Sequence, residues 1–135
     1  MHIFIVARDQ GVSESLQNVF EDAGYSTSCW LDAQLVIAGL HQAETPVVVC
    51  LFHGGRDGLC DDVLNVAPSL PEHAYVVIST QPQKARRQWN TSTGRYIPVL
   101  AAPFDLDELM PVVTLAATTV SALTDVSGLI GLCGA

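Results

Sequence analysis

Thr45-Pro46-Val47-Val48-Val49-Cys50-Leu51-Phe52-His53-Gly54-Gly55-Arg56-Asp57-Gly58-Leu59 is the stretch that decides the fold. A β-branched run follows a proline, ends in a glycine-rich loop and gives way to a helical pattern. A short continuous apolar run bounded by turn residues reads as a strand buried on both faces, as in a parallel sheet. The expected strand spans residues 47–51, and a helix is expected to start near Gly58. In open parallel sheets, ligands bind in the crevice beyond the C-terminal ends of the strands. Whatever chemistry this chain has is therefore expected between Cys50 and Asp57.

Working outward, the same alternation of strand and helix repeats. Residues 3–6 read as a first strand. Residues 11–23 read as a helix, with Val12, Leu16, Val19, Phe20 and Ala23 on one face and Gly24 just past its end. Residues 26–30 are short and polar, which suits an edge strand. Asp32 caps a second helix running to about Gln42, with Leu35, Val36 and Leu40 inward. Gly39 weakens that helix by about 1 kcal/mol relative to Ala. The third helix carries Leu59, Val63, Val66 and Ala67 and stops at Pro68. Residues 74–78 are a fourth strand, residues 81–90 a polar and loosely held helix opened by Pro82, and residues 98–100 a short fifth strand. Asp105 caps the last helix, where Asp107 and Glu108 complement its dipole and Pro111 introduces a kink. The predicted organisation is a domain over residues 1–124 and a flexible tail over residues 125–135, where Gly128, Gly131 and Gly134 leave few anchors. Alternating units of this kind predict an α/β fold with a doubly wound five-stranded parallel sheet, in the flavodoxin-like strand order 2-1-3-4-5.

The bulk composition narrows the function classes. The chain has 135 residues, 49% hydrophobic and only 15% charged, which gives one domain with a real core. A net charge of −8 argues against direct nucleic-acid binding, which needs a basic surface. The N-terminal apolar run lacks a basic flank and is interrupted by Ala7-Arg8-Asp9, so it reads as a strand and not a signal peptide. No apolar run reaches the length of a membrane span. Cys29, Cys50, Cys60 and Cys133 form no C-x-x-C pair and no zinc spacing, so they read as reduced thiols of a cytoplasmic protein. No metal and no cofactor is expected.

Three motifs together give the chain a resemblance. Ala23-Gly24-Tyr25 follows the first helix, Asp57-Gly58-Leu59 opens the third, and Pro103-Phe104-Asp105 precedes the last. In this order and spacing they resemble the response-regulator receiver (CheY-like) family over residues 2–124. The resemblance implies a phosphoryl acceptor at the end of the third strand. Counting back from Asp57-Gly58-Leu59 puts it at Cys50. It also implies a magnesium-binding acidic pair where Ala7 and Arg8 stand, followed here by Asp9. It implies a hydroxyl at Ser79, with Thr80 beside it, a lysine where Ala102 stands, and an aromatic switch residue where Val99 stands. Magnesium wants several oxygen ligands, and phosphoryl transfer wants an oxygen nucleophile and cations. Ala7, Arg8, Cys50 and Ala102 supply none of these, so a degenerate, phosphorylation-silent pocket is expected.

Other readings of the same residues are weaker. Cys50 as a redox sensor would need an exposed thiolate with a lowered pKa, whereas a buried thiol filling space at a strand end suits its neighbours better. Arg8 is expected to pair with Asp9, Asp57 or a carbonyl of residues 52–55 in place of the metal, or else to face solvent. His53-Gly54-Gly55 is similar to a hydrolase oxyanion loop, but no G-x-S-x-G elbow accompanies it. Lys84, Arg86 and Arg87 read as a solvated helix face, or as a docking site for an acidic partner.

The sequence thus predicts a non-enzymatic pseudo-receiver that works by contact with a protein partner or an attached output domain; the chain itself has no room for one. From Val112 to Thr124 there is no charge. Such a helix is covered or sits at an interface. Receivers commonly dimerise through the face of the fourth and fifth helices, so a homodimer is expected there, with Val112, Val113, Leu115 and Val120 as interface candidates. The rival expectation is that Leu129, Ile130 and Leu132 fold back over this face.

Overall fold

The computed structural model describes residues 2–43, 45–53, 59–66, 73–93, 97–102 and 105–133. Five parallel strands form one sheet: β1 (His2–Val6), β2 (Ser26–Trp30), β3 (Val48–His53), β4 (Ala74–Ser79) and β5 (Val99–Ala101), in the order β2-β1-β3-β4-β5. Five helices alternate with them: α1 (Gln10–Asp22), α2 (Ala33–Gln42), α3 (Leu59–Val66), α4 (Pro82–Thr93) and α5 (Leu106–Cys133). The doubly wound sheet predicted from the alternation is the one observed, and β2 takes the predicted edge.

The period-two alternation of strand side chains builds two cores from one sheet. Phe4, Val6, Val49, Leu51, Tyr75 and Val77 face one way and meet Val36 and Leu40 of α2, Leu59 and Val63 of α3, and Ala85 of α4. Ile3, Ile5, Val48, Cys50, Val76 and Ile78 face the other way and meet Leu16 and Phe20 of α1 and Leu109, Val113 and Val120 of α5. Fully burying each such aliphatic side chain is worth about 1.5–3 kcal/mol, so both layers are needed to hold the central strands.

Local signals set the helix ends. The Asp32 carboxylate accepts from Leu35 N (3.1 Å) and opens α2, and that of Asp105 accepts from Asp107 N (3.0 Å) at the start of α5. Gly24, at φ 95°, closes α1. Gly24 N–H donates to the Glu21 carbonyl and Tyr25 N–H to the Phe20 carbonyl, each at 3.0 Å, which is a Schellman closure.

Several expectations need correction. β3 runs to His53, two residues past the predicted end, because Phe52 and His53 pair with Ile78 and Ser79. Leu35 is 63% exposed, since Val36 and Leu40 take the inward stripe of α2. The polar α4 is tied down by buried Ala85 and by Arg86, whose Nη2 donates to the Val99 carbonyl (3.0 Å), while Lys84 and Arg87 are exposed. α5 passes through Pro111 and continues as helix to Cys133, beyond the boundary predicted at residue 125. Of the four interface candidates, Val113 and Val120 are fully buried against the sheet, with Ala116 and Ala117 beside them. The i, i+3, i+4, i+7 spacing of these four makes that stripe the core face. Val112 is half-buried, and Leu115 alone of the four stands well out, at 67% exposure. Asp57-Gly58, Ala67, Pro68 and Pro103-Phe104 lie outside the described residues.

Candidate functional site

The ends of β1, β3, β4 and β5 converge at the C-terminal edge of the sheet. Backbone hydrogen bonds stitch them together beyond the regular ladder. Ala7 N–H donates to the Trp30 carbonyl (3.3 Å), Thr80 N–H to that of His53 (3.3 Å), and Ala102 N–H to that of Ser79 (2.8 Å). Of the residues expected in the pocket, Ser79 ends β4, Ala7 and Ala102 directly follow β1 and β5, and Arg8 and Asp9 come next after Ala7 in the chain.

Cys50 does not join them. Its register partners are Ile5 and Val76, in the middle of the sheet, and it is fully buried. Burial pushes its thiol up to about 12, because no neighbour compensates a thiolate there. The resemblance put an acceptor at the end of the third strand. The residue at that end is His53. The sequence signal was present: the apolar run continues through Leu51 and Phe52 up to His53, and the first glycine comes only at 54.

His53 is 4% exposed and Ser79 fully buried, and they are register partners across β3 and β4. His53 Nδ1 lies 3.0 Å from Ser79 Oγ. Ser79 Oγ also accepts from Gln81 N–H (2.9 Å), which turns the chain from β4 into α4. One hydroxyl thus joins two strand ends to the start of a helix.

The Asp9 carboxylate accepts from Val12 N–H (3.1 Å) as the N-cap of α1. Ala7 is fully buried. Arg8 is exposed and lies on the β2 side of β1, on the wall of a cavity with Glu14 of α1 and Cys29 of β2. Among the described residues, no three His, Cys, Asp or Glu side chains come together as a metal-binding group. Also among them, no helix is long and apolar enough to cross a membrane.

No family model matches this chain, and no curated protein matches it significantly. Solved structures do. A protein described as an adenylate cyclase from Rhodopirellula baltica is 13% identical, with a TM-score of 0.79 over 96% of each chain. The signal receiver domain of an HD domain-containing protein from Pseudomonas fluorescens Pf-5 is 18% identical, with a TM-score of 0.74 over 90% of this chain and 97% of that one. The non-phosphorylated HemR receiver domain from Leptospira biflexa is 18% identical, with a TM-score of 0.70 over 85% and 92%. At such identities the likeness is one of architecture: this chain has the flavodoxin-like fold that receiver domains have.

Proposed function

We propose that this chain is a phosphorylation-silent receiver-like module that acts by binding a protein partner or an attached output domain. The observation that carries the reading is the makeup of the sheet's C-terminal edge. Ala7 and Arg8 follow β1, a hydrogen-bonded His53–Ser79 pair closes β3 onto β4, and Ala102 follows β5. Magnesium needs an octahedron of oxygens, and the carboxylate nearest in sequence, Asp9, caps α1, where its Oδ1 accepts from Val12 N–H. A transferring phosphoryl group needs cations on its oxygens, and Ala102 offers none. A thiol sensor at Cys50 is disfavoured, because its sulfur is sealed between Ile5 and Val76 and its pKa is raised. Ser79, tied to His53 and Gln81 N–H, holds the β4–α4 connection in one arrangement, so output depends on a standing surface and not on a switch.

The test is a set of amide NMR spectra with and without magnesium plus beryllofluoride. The spectra are expected to stay unchanged around His53, Ser79 and Ala102. Saturable shifts at those amides would show a working phosphoryl site and overturn the proposal.

A further inference from the structure

α5 runs for 28 residues, from Leu106 to Cys133. Its seat on the sheet is the stripe Leu109, Val113, Ala116, Ala117 and Val120. In line with that stripe the chain next places Thr124, Ser127 and Gly131, which are polar or small. A second, more apolar stripe runs along the other side of the helix. From Val112 it steps to Leu115, Thr119, Ala122, Val126, Leu129 and Cys133, at alternating intervals of three and four residues. Its first members stand off the sheet: Val112 is half-buried, and Leu115 and Thr119 are exposed. The stripe spans about 33 Å of helix at 1.5 Å per residue. Alternating threes and fours make a period of 3.5, which keeps a seam facing a second helix, whereas a straight α-helix drifts about 20° per heptad from it. Asp125, the single charge from Val112 to Cys133, falls at heptad position g, and Gly128 and Gly131 fall at c and f, so none interrupts the seam. Leu123 and Ile130, at e, flank it.

We propose that α5 pairs with α5 of a second copy of this chain as a parallel, in-register, two-stranded coiled coil from Val112 to Cys133. Position a holds β-branched Val112, Thr119 and Val126, and position d holds Leu115, Ala122 and Leu129. β-branched residues at a with leucine at d favour the parallel dimer. In register, each seam residue meets its own copy and no seam position carries a charge, while Asp125 at g lies nearest the partner's Ile130 at e. The antiparallel arrangement pairs a with d. It sets Val112 against the partner's Leu129 and Cys133 against the partner's Glu108, a carboxylate in an apolar layer. Parallel pairing gives the homodimer expected at this helix a direction, a register and a length: both domains lie at one end and both C-termini at the other. The inference goes beyond the phosphorylation-silent reading and does not rest on it.

Cys133, at the last a position, reports the register. The test uses the intact chain carrying Cys29→Ser, which removes an exposed competing thiol. Diamide accepts the two thiol hydrogens as a disulfide forms between copies. Mass spectrometry of the non-reduced peptides is expected to find Cys133 joined to the partner's Cys133 as the main cross-link. Sedimentation equilibrium is expected to show a dimer. Its dissociation constant is expected to rise about a hundredfold for Leu129→Glu, since two leucines leave the seam together. It is expected to fall about tenfold for Ala122→Leu, which fills a small layer. Both positions lie off the stripe that seats α5 on the sheet, so the amide NMR shifts of the five strands are expected to stay those of the parent in both variants. The proposal is overturned if the parent is monomeric at high micromolar concentration, if the main cross-link joins other thiols, or if Leu129→Glu dimerises as well as the parent. A dimer that survives Leu129→Glu but not Leu115→Glu would place the contact on the domain alone.

Discussion

His73 Nδ1 accepts the Val47 N–H (3.0 Å), and its Nε2 lies 3.0 Å from the Leu40 carbonyl. The first bond requires an unprotonated Nδ1, so the proton sits on Nε2 and is donated to Leu40. A single neutral ring thereby joins the end of α2 to the starts of β3 and β4. Burial holds its pKa below the ordinary 6.5, the bond to the Leu40 carbonyl opposing only in part. The unfolded chain therefore binds a proton near pH 6.5 that the folded chain refuses until lower pH. The stability from this site is complete above 6.5 and declines as the pH falls below it. Urea denaturation across that range should show the parent losing stability toward acid faster than His73→Gln. That variant keeps a donor and an acceptor but does not titrate. His2, also held below 6.5 by burial and the nearby N-terminal charge, is present in both chains and cancels. Equal pH slopes for the two chains would count against the locked tautomer. None of this was legible in the sequence, because Leu40, Val47 and His73 meet only after the sheet assembles.

At the scale of elements, the helix ends were readable and the close approaches were not. Asp32, Asp105 and Gly24 act on residues two to four positions away, so composition and spacing reveal them. Asp9 misled: it reads as a leftover pocket carboxylate, yet it opens α1. Gly39 reads as a weak point in α2, and the structure supplies its reason. A Cβ there would lie 3.0 Å from Trp30 Cη2 and 3.4 Å from Phe4 Cε2. Trp30 cannot retreat easily, since it stacks on Phe4 at 5.1 Å and its Nε1 donates to Ser28 Oγ (2.9 Å). Gly39→Ala gains about 1 kcal/mol of helix propensity but overpacks a site where such strain costs about 1–3 kcal/mol. Thermal denaturation should therefore show a net loss. An increase in Tm would mean that α2 slides outward without penalty.

For the whole molecule, the uncharged surface of α5 remains to be accounted for. Thr114, Leu115, Thr118 and Thr119 are exposed. The two later threonines bond back to the carbonyls of Thr114 and Leu115 (2.9 Å each), which turns their methyl groups outward. The surface so made is small, apolar and without ionic protection. We propose that the homodimer expected from the sequence uses this outer face, centred on Leu115, in a symmetric arrangement. Sedimentation at high micromolar concentration should show a dimer for the parent and a monomer for Leu115→Glu. The substitution sits at an exposed position, so stability should change by only about 0.5 kcal/mol. A parent chain that stays monomeric would remove the dimer.

The sequence by itself determined the alternating architecture, the edge position of β2 and the inward placing of Leu16 and Phe20 of α1 and of Leu59 and Val63 of α3, because these follow from hydrophobic period and local turn chemistry. It also placed Ala7, Arg8, Ser79 and Ala102 at one end of the sheet, since strand ends share an end in any parallel array. Only the tertiary structure decided which residue of the central run stands at that end. An apolar run has no internal mark of where pairing stops. The hydrogen-bond partners on β4 carry β3 on to His53 and leave Cys50 in the middle of the sheet. The same holds for α5: its stretch from Val112 to Thr124 carries no charge and so gives no charged face to read its orientation from, and packing against β3 and β4 selected Val113 and Val120 for the core and left Leu115 outside.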